Sequence, residues 1–539
     1  MKTMTSNVDR LNALLGKLAL VSTLLLTSCA VDTESNHQTT TDKVETFNSI
    51  NGKPNLIVIV ADQMRRSSME FWQQPEFQGA LNTNSDPVIT PNLNALADNG
   101  VVFTDAIANF PLCSPYRGML LSGLFPHKNG VTNNTRVGRP EVGLKPDIPT
   151  LTSVLRDNGY NTALIGKGHW HNNLPMFDGN NRFVGTTTAP GGHYFQGTRY
   201  DTYIPPGKAR QGIEYWYQSL GHNHKNPVVY TNDTELSGVE EGTPFHPKRY
   251  SAVDQANVII DYIGNTRAQR DNNKPFAILW TMDPPHSPYN NISDTDERIF
   301  NTMYREIPLG LLLNRPNASI ERAKAAAAIH FSMITLIDRE IGRVLTTLEE
   351  RNLLNNTLIV FTADHGEMMG SHGKMAKNVY YEESIGIPLI LYFPDKLIPQ
   401  QDDLLIGVPD IKPTVLGLLG LEHQVPTDLD GTNYAPYWQN SSNIDNEPER
   451  PKSSLYYGTG DAYGVRTHEY LYVVNSDGNL DALFNNVEDP YQLSPLTLKD
   501  IPPEDVTTLQ DELGQWLTRI NHPWALARKH SQMISYPEE

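Results

Sequence analysis

Cysteine and basic residues are both scarce in this sequence. Only two cysteines, Cys29 and Cys113, occur in 539 residues, so a disulfide-rich scaffold is excluded. Lys and Arg number 43 against 61 Asp and Glu, and the net charge of −18 argues against nucleic acid as a partner. Apolar residues make up 39% of the chain and aromatic residues 9%, which excludes a disordered protein. The sequence therefore predicts a large globular protein. Any site in it that binds an anion must bring Lys and Arg side chains together locally.

The apolar run near the N-terminus is too short to cross a bilayer. It covers Leu18–Leu26 and ends in Leu26-Thr27-Ser28-Cys29, a pattern that resembles the bacterial lipobox. The basic residues that precede it are Lys2, Arg10 and Lys17. This order of charged, apolar and small residues is typical of a cleaved targeting segment.

We therefore expect residues 1–29 to be a lipoprotein-type signal peptide, with lipidation at Cys29 and a polar tether over residues 30–53. An ordinary signal peptide with an accidental Cys29 is the alternative. On the first reading the protein is exported and lipid-anchored to a bacterial membrane, on its periplasmic or cell-surface side. Cys113 is then a lone thiol in an exported protein. Because such a thiol is exposed to unwanted reaction, its presence indicates that its chemistry is used.

Apolar runs of strand length alternate with helix-like segments in the first four fifths of the chain. The runs are Asn55–Ala61, Thr162–Ile165, Phe276–Thr281, Thr357–Thr362 and Ile387–Phe393. The helix-like segments include Pro149–Asn158, Tyr250–Thr266 and Ala323–Arg351. This alternation predicts an α/β fold with a central, mostly parallel sheet between helices and an active site at the carboxyl ends of its strands.

The remaining segments suggest a second, smaller unit. Residues 172–250 are rich in Gly, Pro, Asn and Tyr and are predicted to be long loops on the binding face. We predict a main domain over 54–430, a connecting segment over 431–453 and a C-terminal subdomain over 454–539. Short alternating stretches and a helix at Glu504–Arg519 predict a smaller antiparallel sheet with one helix in that subdomain.

The residues around the lone thiol carry a recognisable motif. Cys113-Ser114-Pro115-Tyr116-Arg117, followed by Ser122-Gly123, resembles the maturation signal of the formylglycine-dependent sulfatases of the alkaline-phosphatase-like superfamily. The resemblance implies a large alkaline-phosphatase-like domain and a maturation enzyme that oxidises Cys113 to formylglycine. In that family the hydrated aldehyde attacks the sulfate sulfur and later expels sulfate by collapsing back to the aldehyde.

A second string matches the same family independently. Gly159–His169 resembles the other sulfatase signature, with Gly168 where the family commonly has Trp. A strand that ends in a glycine turn can present Lys167 and His169 side by side. The resemblance assigns Lys167 to a sulfate oxygen and His169 to proton transfer.

Two pairs of residues at strand ends predict a metal site. Asp62-Gln63 follows the first run and Asp364-His365 follows the fourth. The resemblance assigns these positions, together with the group derived from Cys113, to a divalent cation. We expect Ca²⁺, with Mg²⁺ or Mn²⁺ as less expected ions. Gln63 stands where the family usually has a second Asp, so the site has one negative charge fewer.

Two further matches complete an anion pocket. Lys377 aligns with a Lys-x-x-x-Tyr-Glu element whose lysine binds sulfate, whereas Lys374 has the wrong spacing to that Tyr-Glu pair. His286 aligns with a Pro-His-x-Pro-aromatic element and is expected to protonate the leaving alcohol, although His286 and His169 could exchange roles. Arg117 is expected to hold the diol. Lys167, His286 and Lys377 are thus the predicted substrate-binding residues.

The sequence is therefore read as a sulfuric ester hydrolase that acts on a sulfated oligo- or polysaccharide. The expected substrates are algal polysaccharides such as ulvan, carrageenan or fucoidan, or glycosaminoglycans. A phosphonate or phosphate-ester hydrolase of the same superfamily is one alternative. A non-catalytic glycan-binding lipoprotein is the other.

Overall fold

A computed structural model describes residues 52–136, 139–172, 175–177, 183–186, 201–220, 224–439 and 447–524. The expected signal peptide, Cys29 and the tether up to residue 51 lie outside the described residues, as does part of the connecting segment. Among the helices of the described residues, none has the length and apolar character needed to cross a membrane.

The central sheet has nine strands in the order β11-β2-β10-β9-β1-β8-β3-β6-β7. Its strands are β1 (Asn55–Ala61), β2 (Val101–Phe103), β3 (Asn161–Lys167), β6 (Tyr215–Leu220), β7 (Val228–Thr231), β8 (Phe276–Thr281), β9 (Thr357–Ala363), β10 (Leu389–Tyr392) and β11 (Gln400–Asp402). Strands β9, β1, β8, β3 and β6 run parallel as successive neighbours. Every residue of β1 is buried, which explains its uninterrupted apolar sequence.

Helices cover both faces of this sheet. The helices of seven or more described residues are α1 (Pro91–Asp98), α2 (Cys113–Ser122), α3 (Leu151–Asp157), α4 (Ser251–Gly264), α5 (Ala327–Glu350), α6 (Val408–Leu418) and α7 (Pro503–Arg519). Trp280 and Phe361 both pair with Ile59 and so point to one face, where the Trp280 indole donates to Gln255 of α4. Thr362 points to the opposite face, where its hydroxyl contacts Tyr116 of α2. The α/β layering expected from the sequence is therefore confirmed.

The predicted loop region contains four strands that the sequence analysis missed. Residues 215–220 and 228–231 form β6 and β7 and extend the sheet, so the interpretation of 172–250 as loops is wrong there. All side chains of β6 are buried, including Gln218 and Ser219, and these polar residues obscured the strand pattern. A separate hairpin of β4 (Pro175–Phe177) and β5 (Phe183–Thr186) lies in the same region.

A second sheet follows, as predicted. Its strands β12 (Ser454–Tyr457), β13 (Tyr463–Arg466), β14 (Tyr470–Val474) and β15 (Leu480–Asn485) are antiparallel in that order. The sequence analysis did not identify β13, and it placed α7 correctly to within one residue. The described residues belong to one compact unit, so the domain limits at 430 and 454 stay predictions.

Candidate active site

Four neighbouring parallel strands bring the predicted site residues to one edge of the sheet. Because parallel strands end on the same side, the residues that follow them must meet there. The strand ends carry Asp364 and His365 (β9), Asp62 and Gln63 (β1), Asp283 and His286 (β8), and Lys167 and His169 (β3). Cys113, the first residue of α2, and Lys377, from the segment after β9, complete the set.

The deepest part of the site is a network of buried ion pairs. Lys167 Nζ lies 2.6 Å from Asp62 Oδ2. Arg117 Nη2 lies 3.3 Å from Asp62 Oδ2 and 3.4 Å from Asp364 Oδ2. None of these side chains is more than 2% exposed, so two cations and two anions neutralise each other away from water. Burial raises the pKa of Asp62, but the positive charges of Lys167 and Arg117 oppose this effect, and the pKa is held well below its usual value.

Cys113 faces this network from the start of α2. Its Sγ lies 3.3 Å from His365 Nε2 and 3.9 Å from Asp62 Oδ1. Burial and the charge of Asp62 raise the pKa of the thiol to about 11. The unmodified side chain is therefore protonated at neutral pH and is a poor nucleophile there, although it lies at the centre of the site.

The donor set beside Cys113 fits a divalent cation. One ligand atom from each of Asp62, Cys113, Asp364 and His365 lies within 4.8 Å of the others. His365 Nδ1 lies 3.0 Å from the carbonyl oxygen of Gly366, so Nδ1 carries the proton and Nε2 keeps its lone pair. Two carboxylates and one neutral imidazole thus converge on the same small volume, as a metal requires.

Gln63 occupies a special position between this donor set and its neighbours. Its φ is 69°, in the left-handed region, and its backbone N–H donates to Asp364 Oδ1 at 3.0 Å. Its side-chain oxygen accepts a hydrogen bond from Lys377 Nζ at 2.5 Å, and its Nε2 donates to Glu367. The structure thus places Gln63 beside the donor set, and its role as a metal ligand stays a prediction.

His286 and Lys377 meet at the other side of the site. His286 Nδ1 lies 2.8 Å from the Ser287 carbonyl oxygen, so Nδ1 donates, and Nε2 accepts from Lys377 Nζ at 2.5 Å. Lys374 is exposed, whereas Lys377 is partly buried and contacts both His286 and Gln63.

His169 is buried and neutral. Its Nε2 donates to the Thr135 carbonyl oxygen at 3.1 Å, which leaves Nδ1 with a lone pair and no partner among the described residues. Burial and the charge of Lys167 hold its pKa well below the usual value. A Cβ on Gly168 would lie 2.7 Å from Ile204 Cδ1 and 3.2 Å from Gln218 Nε2, so a larger residue there would have to displace these two side-chain ends.

Two buried acids of the site were not singled out by the sequence analysis. Asp283 lies two residues after the end of β8, and its place near a strand end was an available signal. Burial raises the pKa of Asp283 to about 8, although the charge of Lys167 opposes the rise. Glu367 accepts hydrogen bonds from Gln63 and Tyr289, and no local pattern marks it.

Comparisons with known proteins show which family the chain resembles. The Sulfatase family model matches residues 54–421. The chain is 36% identical over 511 residues to an endo-4-O-sulfatase of Bacteroides thetaiotaomicron, which covers 90% of this chain and 95% of that protein. It is 28% identical over 522 residues to an ulvan-active sulfatase of Formosa agariphila, covering 93% and 86%.

A solved structure has the same fold over nearly the whole described chain. It comes from work on the metabolism of multiple glycosaminoglycans by Bacteroides thetaiotaomicron and matches with a TM-score of 0.81 at 35% identity. The match covers 90% of this chain and 100% of that one. The chain therefore belongs to the sulfatase family of the alkaline-phosphatase-like superfamily, and it is a sulfuric ester hydrolase.

Proposed function

We propose that this sulfatase removes sulfate from a carbohydrate polymer, with 4-O-sulfate as its first candidate position. The proposal is supported by the names of its relatives, an endo-4-O-sulfatase and an ulvan-active sulfatase. The substrate class then includes 4-O-sulfated glycosaminoglycans and sulfated algal polysaccharides such as ulvan, carrageenan or fucoidan.

One observation carries the catalytic part of the proposal. The only cysteine of the described residues lies at the centre of the site, and the charges of both Lys167 and Lys377 act on it. A group at position 113 therefore has a cation available for the sulfate oxygens on two sides. The family implies that a maturation enzyme converts Cys113 to formylglycine, whose hydrate supplies the attacking oxygen.

The side chains around position 113 suit distinct roles. Lys167 and Lys377 bind sulfate oxygens, while Arg117 holds the carboxylates of Asp62 and Asp364 in place beside the nucleophile. His286 protonates the leaving sugar oxygen from Nε2 when that atom carries a proton; in the structure Nε2 accepts a hydrogen bond from Lys377. His169 is neutral, and its Nδ1, which has no partner among the described residues, is the atom that would take up a proton.

The metal is proposed to be Ca²⁺, held by Asp62, Asp364 and His365 with Gln63 as a further candidate ligand. When bound, the cation would supply positive charge to the sulfate group. The imidazole of His365 is a donor that transition metals accept more readily than Ca²⁺ does. Metal analysis of the purified enzyme, followed by reconstitution with Ca²⁺, Mg²⁺ or Mn²⁺, tests the choice, and activity restored by Mn²⁺ alone would contradict it.

The cellular location is proposed from the N-terminal sequence. Export, cleavage before Cys29 and lipidation of its sulfur would anchor the enzyme to a bacterial membrane. Mass spectrometry of the N-terminal peptide from the membrane fraction tests this, and a mature N-terminus other than a lipidated Cys29 contradicts it.

A substrate panel tests the function itself. Defined oligosaccharides sulfated at O2, O4 or O6 are compared for sulfate release, with an aryl sulfate and an aryl phosphate diester as references. We expect release from the 4-O-sulfated compounds and faster hydrolysis of the aryl sulfate than of the phosphate diester. Faster hydrolysis of the diester would favour the phosphonate or phosphate-ester alternative, and no turnover by enzyme with modified Cys113 would favour the binding protein.

A further inference from the structure

Glu367 is a buried carboxylate to which neither the motifs nor the proposed mechanism assigns a role. It lies two residues after His365 and is 0% exposed. Its Oε1 accepts from the backbone N–H groups of Met369 and Ala376, both at 2.7 Å. Its Oε2 accepts from the Tyr289 hydroxyl at 3.1 Å and from Gln63 Nε2. One carboxylate thus satisfies four donors inside the protein.

These donors come from segments that follow three different strands of the sheet. Gln63 follows β1 and Tyr289 belongs to the segment after β8, three residues beyond His286. Met369 and Ala376 belong to the segment after β9, and Ala376 directly precedes Lys377. The Glu367 carboxylate therefore joins the segments that carry both partners of Lys377 and Lys377 itself.

The backbone of the Lys377 segment needs this support. Met369 has φ 40° and Ala376 has φ 65°, and Asn378 on the other side of Lys377 has φ 71°. Residues other than glycine rarely adopt such left-handed conformations, and they persist only where surrounding contacts impose them. The two amides that bond Glu367 Oε1 belong to two of these strained residues.

The contact with Gln63 also determines which end of that amide faces Lys377. Because Gln63 Nε2 donates to Glu367, its Oε1 is turned toward the Lys377 ammonium, which donates to it at 2.5 Å. The opposite orientation would place an NH₂ group against an ammonium group. An acceptor at position 367 therefore makes the Gln63–Lys377 contact attractive.

We propose that Glu367 is a positioning residue that aligns Lys377 and the Gln63 amide for sulfate binding, an inference that rests on the proposed function. It acts through these two residues and does not touch the sulfate itself. The carboxylate form is required because all four of its partners are donors.

The substitution Glu367→Gln tests the inference with almost no change in volume. If the oxygen of the new amide at position 367 accepts from Met369 and Ala376, the NH₂ group of that amide faces Gln63 Nε2. Two donors then oppose each other. Gln63 can relieve this conflict only by rotating its amide, which turns NH₂ toward Lys377. We expect kcat on an aryl sulfate to fall by about 10–100-fold, as for other residues that position active-site groups without contacting the substrate. We also expect the inhibition constant for inorganic sulfate to rise.

Two further variants separate positioning from stability. Tyr289→Phe removes one of the four donors and is expected to lower kcat about threefold to tenfold with little change in the melting temperature. Glu340→Gln is the matched control, because Glu340 is a buried glutamate of α5 that pairs with Arg339 and Arg343 away from the site. It is expected to leave kcat and sulfate inhibition unchanged.

The outcomes distinguish this inference from the proposed function. Wild-type kcat and sulfate inhibition in a folded Glu367→Gln enzyme would overturn the inference, as would an unchanged kcat in Tyr289→Phe if Glu367→Gln does not fold. If the wild-type enzyme hydrolyses no sulfate ester, the proposed function fails. A crystal structure of Glu367→Gln then still tests the geometry: loss of the Gln63 Oε1–Lys377 contact supports the inference, and its retention contradicts it.

Discussion

The floor and the rim of the active site hold charge in different ways. The floor, consisting of Asp62, Cys113, Arg117, Lys167 and Asp364, is almost completely buried, and each of its cations lies against a carboxylate. The rim consists of His286 and Lys377. There the ammonium group contacts an amide oxygen and an imidazole nitrogen, and Lys377 is partly exposed.

The difference follows from how each region is built. The floor residues other than Cys113 and Arg117 extend directly from strand ends, so the register of the sheet places them, and α2 adds those two from one face. Charged side chains can be buried at these positions only as neutralising pairs, because an unpaired buried charge is costly. The rim depends on two loop segments, and within the described residues Lys377 has no carboxylate at ion-pair distance. The floor therefore prepares the nucleophile, and the rim offers a charge without a carboxylate partner to an incoming anion, to which Lys167 of the floor is also proposed to bind.

The strongest test of the floor removes its nucleophile. Cys113→Ala is expected to lower turnover by about 10⁴-fold or more, because the oxygen that attacks sulfate is derived from this side chain. In active wild-type enzyme, mass spectrometry of the peptide that carries position 113 should show an aldehyde in place of the thiol. Full activity in protein whose Cys113 is entirely unmodified would contradict both the mechanism and the role of the floor.

The next test removes charge from the rim. Lys377→Ala is expected to lower kcat by about 10²–10³-fold, or about 2.7–4 kcal/mol of transition-state stabilisation. Lys374→Ala is the matched control, since Lys374 lies three residues away and is exposed, and it should change kcat little. Because Lys377 forms no buried ion pair with a carboxylate in the described residues, its removal should leave the melting temperature nearly unchanged. Equal effects of the two substitutions would mean that the rim is assigned to the wrong lysine.

A smaller effect is expected at Gln63, which lies between floor and rim. Gln63→Asp adds a ligand charge and is expected to tighten Ca²⁺ binding by about tenfold, whereas Gln63→Ala should weaken it. The same change to Asp should lower turnover, because it removes the partner of Lys377 and the bond to Glu367. Calorimetry with Ca²⁺ and steady-state kinetics measure the two effects. Unchanged affinity in both variants would show that this side chain does not bind the metal.

The smallest effect concerns the pH dependence of stability beneath the rim. His330 of α5 donates from Nδ1 to the carbonyl oxygen of Pro285, next to His286, and burial lowers its pKa from 6.5 to about 3. The unfolded chain takes up this proton below pH 6.5 and the folded chain does not, so its contribution to stability is complete above pH 6.5 and is lost as the pH falls toward 3.

His330→Gln keeps a donor for Pro285 and removes the titration. We therefore expect the free energy of unfolding, measured with urea between pH 4 and pH 7, to fall less steeply in acid for the variant. The difference in slope against pH should correspond to the uptake of up to about one proton. Identical slopes in the two proteins would show that the buried imidazole does not contribute in this range.

The strand ends of the floor were predictable from local sequence. The apolar runs before Asp62 and Asp364 are continuous because both faces of the sheet are covered, and parallel strands must end together. Cys113 and Arg117 were identified by a short motif within one helix. Strands β6 and β13 were missed because polar and glycine residues interrupt their patterns, and pairing with distant strands forms them nevertheless.

The contacts of the rim could not be predicted in the same way. Lys377 and Gln63 are 314 positions apart, and Lys377 and His286 are 91 apart. No periodicity links such residues, because their distance depends on how two loops fold back over the sheet edge. The role of Glu367 is hidden for the same reason, since its four partners come from three separate segments.

The sequence by itself determined the α/β layering, the family and the chemical types available at the strand ends, because these depend on neighbouring residues and on short repeating patterns. Tertiary structure alone decided which carboxylate neutralises which cation, that His365 turns its lone pair toward Cys113, and that Lys377 meets His286 and Gln63. Those outcomes depend on hydrogen-bond direction and burial, which exist only once distant segments have been brought into contact.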